Sequence, residues 1–323
     1  PMDKERGLKF LKEMLRVRRF EEACAEQYSA GNIRGFLHLY IGEEAVATGI
    51  MEQLTPEDAI FATYREHGHA LLRGVSARSI MAEMFGKVTG CCRGRGGSMH
   101  IFDKETNFLG GNAIVAGAMP LATGIAYANK HLGKRGLAAC FFGEGAMAEG
   151  EFHEAINLAV LWQLPVLFVC ENNNYAMGTA LDRSESQTDL MKKAEAYNIK
   201  AGRVDGMDVF QVAAAAQKAV NHIKELGKPY FLECQTYRFR AHSMFDAELY
   251  RDKDEVKEWK KKDPLFNLKE QLESKGVLNE TIWDEYETEV RQEIEAAIQF
   301  AMDSELEPTE ELHRFVYGEE SHG

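Results

Sequence analysis

The sequence has no apolar run approaching the ~20 residues that a membrane-crossing helix requires. It has no excess of basic residues: 38 Lys and Arg stand against 51 Asp and Glu, a formal charge of −13. That balance excludes a general binder of nucleic acid or of an anionic membrane. Its six cysteines (24, 91, 92, 140, 170 and 234) include no Cys-x-x-Cys pair, and several lie in apolar, strand-like runs. Reduced, buried thiols are therefore expected rather than a disulfide framework. There is no internal repeat and no low-complexity tract. The amino end, Met2-Asp3-Lys4-Glu5-Arg6, is charged and shows no secretory-leader pattern. These absences predict a soluble, acidic, cytoplasmic protein without nucleic-acid or membrane partners.

What is present is core-forming: 45% of the 323 residues are hydrophobic, enough for one large or two modest domains. Residues 7–29 carry Leu8, Leu11, Leu15 and Val17 among charges, which predicts an amphipathic helix. A short strand is expected at 59–63, and glycine-rich loops at 90–97 and 110–111. A helix follows from Pro120 to Leu132, closed by Gly133. Strands at 137–142, 165–170 and 230–234 alternate with helices at 149–163 and, from an Asp208 cap, up to Leu226 with Gly227 at its end. Pro165-Val166-Leu167-Phe168-Val169-Cys170 is continuously apolar, as in a sheet buried on both faces. The alternation predicts an α/β fold, a mostly parallel sheet with helices on both faces. Beyond 252 the chain reads as charged helix. We expect one segment at 1–252 and a helical extension at 253–323, packed on the same domain or on a partner.

The stretch FFGEGAMAEG (141–150) is a strand, a Gly-x-Gly turn and a helix start, an arrangement that offers free backbone N–H groups to an anion. As a dinucleotide loop it is weak, because Gly150 is misplaced for the third glycine. The following strand also ends in Glu171-Asn172-Asn173-Asn174-Tyr175 rather than in a lone ribose-binding acid. Taken together, the two strand ends would place Glu144 beside the Asn cluster at one sheet edge. A carboxylate plus an amide oxygen suits magnesium bridging a diphosphate. The plain alternative is that the asparagines form a turn and Glu144 caps a helix.

GEGA, 26 residues and then Asn173-Asn174 resembles the GDG…NN motif of thiamine-diphosphate enzymes. The resemblance extends from about residue 8 to 318. HLYIGEEA (38–45), TYREHGHAL (63–71), RGRGGSMH (93–100), GGNAIVAGAMPL (110–121), CENNNYAMGT (170–179), VDGMD (204–208) and YRFRAHSM (237–244) occur in the order found in alpha subunits of two-component 2-oxo acid dehydrogenases. Membership of that family implies a three-layer thiamine-diphosphate-binding fold. It implies Mg2+ held by Glu144, where the family usually has Asp, by Asn173 and by the backbone carbonyl of Tyr175. Gly145 and Ala146 would offer N–H groups to the diphosphate, with Arg65 and its neighbour Tyr64 facing its charge. Ala113, at a frequent glycine position, and Val115 would hold the aminopyrimidine ring. The resemblance assigns His242 to the reacting centre and the diphosphate, His38 to substrate or acyl-transfer contacts, and His67 to orienting Arg65 or the substrate. His69, His100 and His153 are read as structural.

The glutamate that activates thiamine diphosphate has no counterpart here; in the family it belongs to a beta chain. The resemblance thus implies a heterotetramer of two alpha and two beta chains, delivering an acyl group to a lipoyl-bearing acyltransferase core. The motif blocks resemble the pyruvate branch most. An acetoin dehydrogenase alpha chain shares nearly all of them, and a non-catalytic regulatory paralogue is the alternative of a different class.

Overall fold

A computed structural model describes residues 3–318, so the outermost residues of both expected segments lie outside it. The chain runs α1 (Lys4–Ser29), α2 (Glu44–Met51), β1 (Ala59–Phe61), α3 (His67–Arg73), α4 (Ala77–Met84), α5 (Ala118–His131), β2 (Ala138–Gly143), α6 (Gly150–Leu161) and β3 (Val166–Asn172). It continues with β4 (Tyr175–Ala176), β5 (Thr179–Ala180), α7 (Leu181–Ser184), α8 (Leu190–Glu195), β6 (Lys200–Asp205), α9 (Val209–Leu226) and β7 (Tyr230–Gln235). The helices α10 (Lys253–Lys260), α11 (Pro264–Ser274) and α12 (Glu280–Asp303) complete it. Five strands form one parallel sheet in the order β1-β2-β3-β7-β6, and β4 and β5 make a small antiparallel pair.

The expected elements are found with ends shifted by a few residues. Asp3 accepts the Arg6 N–H and starts α1 earlier than the apolar pattern suggests. Asp208 caps α9 through the N–H groups of Phe210 and Gln211, and Gly227 closes it at φ 63°. The short pair β4–β5 was not anticipated, nor was one strand of the main sheet. In β6, Lys-Ala-Gly-Arg-Val-Asp has few apolar residues because it is the sheet's edge and leaves Lys200 and Asp205 exposed.

Alternation along the central strands makes the three layers. Ala139, Phe141, Leu167 and Val169 face a core shared with α1, α2 and α9. Ala138, Cys140, Phe142, Val166, Phe168 and Cys170 face a second core shared with α5, α6 and α8. Both faces are dry, so these strands read as unbroken apolar runs. On the first face Gly49 lets α2 lie close on α9, since a Cβ there would stand 2.8 Å from the Val212 side chain. No helix among the described residues is long and apolar enough to cross a membrane. All six cysteines are free.

The C-terminal helices fold back on the amino-terminal part of the chain: α12 lies against α4 and α1, and α11 against α1 and α2. Their anchor is buried and ionic. The Arg18 guanidinium donates to both oxygens of Glu44, with Nη2 at 3.1 Å from Oε2, and to both oxygens of Asp263 at 3.0 and 3.1 Å. Burial alone would lower the Arg18 pKa, but the two carboxylates hold it above its ordinary value. Removing one member of such a cluster strands the others without a countercharge. Arg18→Met is expected to cost about 3–5 kcal/mol of unfolding free energy. Urea melts of the two proteins measure this; a difference below about 1 kcal/mol would show that α11 is held by its apolar face alone.

Candidate active site

The carboxyl ends of β2, β3 and β7 open into a cavity of about 560 Å³. Ligands in open α/β sheets bind at such edges, where the strand order reverses; here β3 has β2 on one side and β7 on the other. Glu144 follows β2 as the first residue of a 3-10 turn, Glu144–Ala148. Its side chain does not cap that turn. It lies across the gap to β3, where Oε2 accepts the Asn173 N–H at 3.2 Å. Oε1 is buried and has no partner. Burial raises the carboxyl to about 7, against the pull of nearby N–H groups and of Arg238 and Arg65.

The asparagines do form turns. Asn174 has φ 71° and donates its N–H to Asn172 Oδ1 at 3.1 Å, and the Tyr175 N–H donates to Asn173 Oδ1 at 3.2 Å. The turn and the pairing with Glu144 therefore coexist. Gly145 is required by close approach, because a Cβ there would collide with the Ala176 side chain of β4.

Eleven residues expected at the site line this one cavity: His38, Tyr64, Arg65, Ala113, Val115, Glu144, Gly145, Ala146, Asn173, Tyr175 and His242. His67 does not. It is fully buried behind the wall, with Nδ1 at 2.9 Å from Glu21 and Nε2 at 2.8 Å from the Ser98 hydroxyl. Both ring nitrogens are engaged, so it contacts neither Arg65 nor the cavity. His69, His100 and His153 also stay outside the lining, as expected. Ala113 has no positive φ; the left-handed residue of that turn is Ala116 at φ 63°.

Arg65 is buried and aimed by two carbonyls, donating to Leu39 O and to His242 O, each at 2.9 Å. Arg238 joins it on the wall, held by Tyr250 at 2.9 Å and the Arg240 carbonyl at 3.1 Å. Sequence reading passed over Arg238, although it stands in YRFRAHSM. It also passed over Glu43 and Glu171, which lie in HLYIGEEA and CENNNYAMGT. Charged residues set in otherwise apolar surroundings, at the ends of β3 and β7 and just before α2, were the available signal. Glu43 Oε1 accepts from Asn173 Nδ2 at 3.2 Å, and its Oε2 is buried without a hydrogen bond, 4.0 Å from Arg65 Nε. Burial and the neighbouring Glu171 raise its pKa. The lining is thus two guanidiniums facing three buried carboxyl groups, with the exposed Glu149 a fourth, and a ring wall beside them: the His38 centroid is 4.4 Å from Tyr64 and 4.9 Å from His242.

The sequence model of the family described as dehydrogenase E1 component matches residues 12–310. The chain belongs to the dehydrogenase E1 component family. It is 42% identical to the pyruvate dehydrogenase E1 component subunit alpha of Porphyra purpurea, over 98% of this chain and 94% of that one. The protein of the same name in Zymomonas mobilis is 44% identical over 96% and 88% of the two chains. The chloroplastic subunit alpha-3 of Arabidopsis thaliana is 42% identical over 92% and 71%.

In this dehydrogenase E1 chain the two imidazoles of the ring wall are uncharged at neutral pH. Burial, then Arg65, pushes His242 down to about 4; burial, then Arg65 and His242, pushes His38 down to about 2. The Nδ1 of each is buried without a partner. A base whose folded pKa is depressed adds stability above its unfolded pKa of about 6.5, and that stability is lost as pH falls through the folded value. The contribution of these two imidazoles to stability should therefore be lost between about pH 6.5 and 4, against the opposite contribution of the buried carboxyls. His242→Asn, which cannot take up the proton, should flatten part of that fall; thermal melting at stepped pH checks it, and parallel curves for the two proteins would refute it.

Proposed function

We propose that this chain is the alpha subunit of a thiamine-diphosphate-dependent pyruvate dehydrogenase. It supplies the diphosphate half of a site shared with a beta subunit, and the acyl product passes to a lipoyl-bearing acyltransferase core. The relatives named above support the substrate. The observation that carries the cofactor assignment is the partnerless Glu144 Oε1, buried beside Asn173 and within the same cavity as two buried arginines.

The donor set fits Mg2+. Glu144, the Asn173 amide oxygen and the Tyr175 carbonyl are hard oxygens, too few for a calcium cage but suited to an ion that takes its remaining ligands from phosphates. Asn173 Oδ1 now accepts the Tyr175 N–H, so it reaches an ion by sharing or releasing that bond. Glu144 is one methylene longer than the family's usual Asp, and the strand ends bring it within hydrogen-bonding reach of the Asn173 backbone. The N–H groups of Gly145 and Ala146 and the guanidiniums of Arg65 and Arg238 face the diphosphate. Ala113 and Val115 hold the aminopyrimidine ring.

When bound, thiamine diphosphate supplies the nucleophilic carbon and the electron sink for decarboxylation. The chain's own residues do the rest. His38, Tyr64 and His242 form a wall that excludes water from the reacting carbon. The neutral imidazoles of His38 and His242 can give and take hydrogen bonds there, and an anion that offsets Arg65 would raise their basicity toward the working pH. His67 acts at a distance, through Ser98 and the turn that carries the cavity residue Met99. The carboxylate that activates the cofactor comes from the beta subunit. The heterotetramer works in a reduced, cytoplasmic setting that suits six free thiols.

Two measurements test this. Glu144→Ala should abolish Mg2+-dependent binding of thiamine diphosphate in the alpha–beta complex, while Glu144→Asp retains it. A Glu144 carboxyl near 7 must lose its proton to ligate Mg2+, so calorimetry in buffers of different ionisation enthalpy should show proton release below about pH 7, fading as pH rises. Unchanged affinity in Glu144→Ala would remove the metal role. Carbon dioxide release from pyruvate should be absent with this chain alone and appear on adding the beta subunit; robust activity of the chain alone would overturn the shared site.

A further inference from the structure

Two thiols outside the cavity have no part in this chemistry. Cys91 and Cys92 are adjacent, free and partly accessible, whereas Cys24, Cys140, Cys170 and Cys234 are fully buried. Burial raises the pKa of each of those four. The two sulfurs and a Glu83 carboxylate oxygen lie within 4.8 Å of one another.

The loop is held rigidly around Glu83. That buried carboxylate accepts the N–H groups of Cys92 at 2.7 Å and Gly94 at 2.8 Å on one oxygen, and of Gly96 at 2.7 Å and Gly97 at 3.1 Å on the other. Cys92 Sγ is further placed by the carbonyls of His100 at 3.5 Å and Phe102 at 3.6 Å, and it accepts the Phe102 N–H at 3.3 Å. The pair is therefore preorganised, and its two thiols lie close enough to shift each other, Cys92 down and Cys91 up from the ordinary thiol value.

Three uses of such a pair differ in what they require. A disulfide wants Cα atoms about 4.4–6.8 Å apart, but consecutive Cα atoms across a trans peptide are about 3.8 Å apart, so the thiols close on each other only with strain. Zinc wants four ligands in a tetrahedron, and both Glu83 oxygens are already engaged by two N–H groups each. A trivalent arsenical bearing one organic group wants two thiols and nothing more. The geometry points to Cys91–Cys92 as a dithiol capture site for monosubstituted trivalent arsenicals. In the capture step an arsenoxide, R–As=O, condenses with the two thiols. Two As–S bonds form, the arsenic–oxygen bond is lost, and both thiol protons leave with the oxygen as one water. Arsenic remains trivalent, so no oxidant is needed.

The probe is phenylarsine oxide, added to the folded full-length chain and read by native mass spectrometry. One adduct per chain is expected, removed by a dithiol such as 2,3-dimercaptopropanol and resistant to an equal concentration of 2-mercaptoethanol. Cys91→Ser and Cys92→Ser should each lose the dithiol-specific adduct, and Cys140→Ser should keep it. Should one serine variant fail to fold, the other decides alone. No adduct on the folded wild-type chain, or one retained at full stoichiometry in a folded Cys91→Ser or Cys92→Ser chain, would overturn the assignment. The result is independent of thiamine-diphosphate binding, which concerns the cavity at the sheet edge.

Discussion

The parallel pairing of β2 with β3 is the constraint from which the site follows. Their register sets Gly143 opposite Glu171, so the next residues on each chain, Glu144 and the asparagines, emerge side by side at one edge. Parallel strands buried on both faces need crossover helices, which send every strand's carboxyl end to the same side. β7 pairs with β3 in the same sense and delivers Arg238 and His242 to that edge. A slip of one residue would turn every side chain of a strand to the other core, and both cores here are filled. Packing of Leu and Phe side chains far below the cavity thereby fixes the distance between a carboxylate and an amide within it.

The cavity is electrostatically unfinished. Glu43 and Glu144 are held above their usual range by burial, while His38 and His242 are held below theirs by burial and by Arg65. The acids lose stability as pH rises from about 4.5 toward 7, and the bases lose it as pH falls below about 6.5. Opposed shifts of this kind, gathered with four buried polar atoms that make no hydrogen bond (His38 Nδ1, Glu43 Oε2, Glu144 Oε1 and His242 Nδ1), mark a region built for a charged guest. A cation would complete Glu144, and an anion would offset the arginines that now depress the imidazoles.

Behind the lining lies a layer of polar groups that pair with one another, although Glu21 Oε2 is left without a hydrogen bond. Glu21, His67 and Ser98 hold the Gly97–Met99 turn. Glu83 gathers the loop that follows α4, and Arg73 donates to the carbonyls of Thr55, Asp58 and Thr106. Such groups are costly to bury unless fully paired, and here they stand in for secondary structure across 85–117, where the only regular element is one 3-10 turn. The Arg18 cluster does the same for the C-terminal helices.

Local chemistry was legible in the sequence: the helix start at Asp208, the stop at Gly227, the apolar runs of β2 and β3, and the motif blocks that converge on the cavity. Each depends on a few neighbouring residues, so spacing alone reveals it. Edge strand β6 was hidden because an edge carries little apolar signal. Arg238, Glu43 and Glu171 were hidden because a charged side chain becomes a site residue only through what the fold sets opposite it. His67 shows the converse. Its motif block reaches the cavity at Tyr64 and Arg65, but the start of α3 turns its ring inward to Glu21, a partner 46 residues away that no local pattern discloses. Sequence determined which segments would be strand, helix and turn; tertiary structure decided which ends meet, because that choice rests on contacts between residues far apart along the chain.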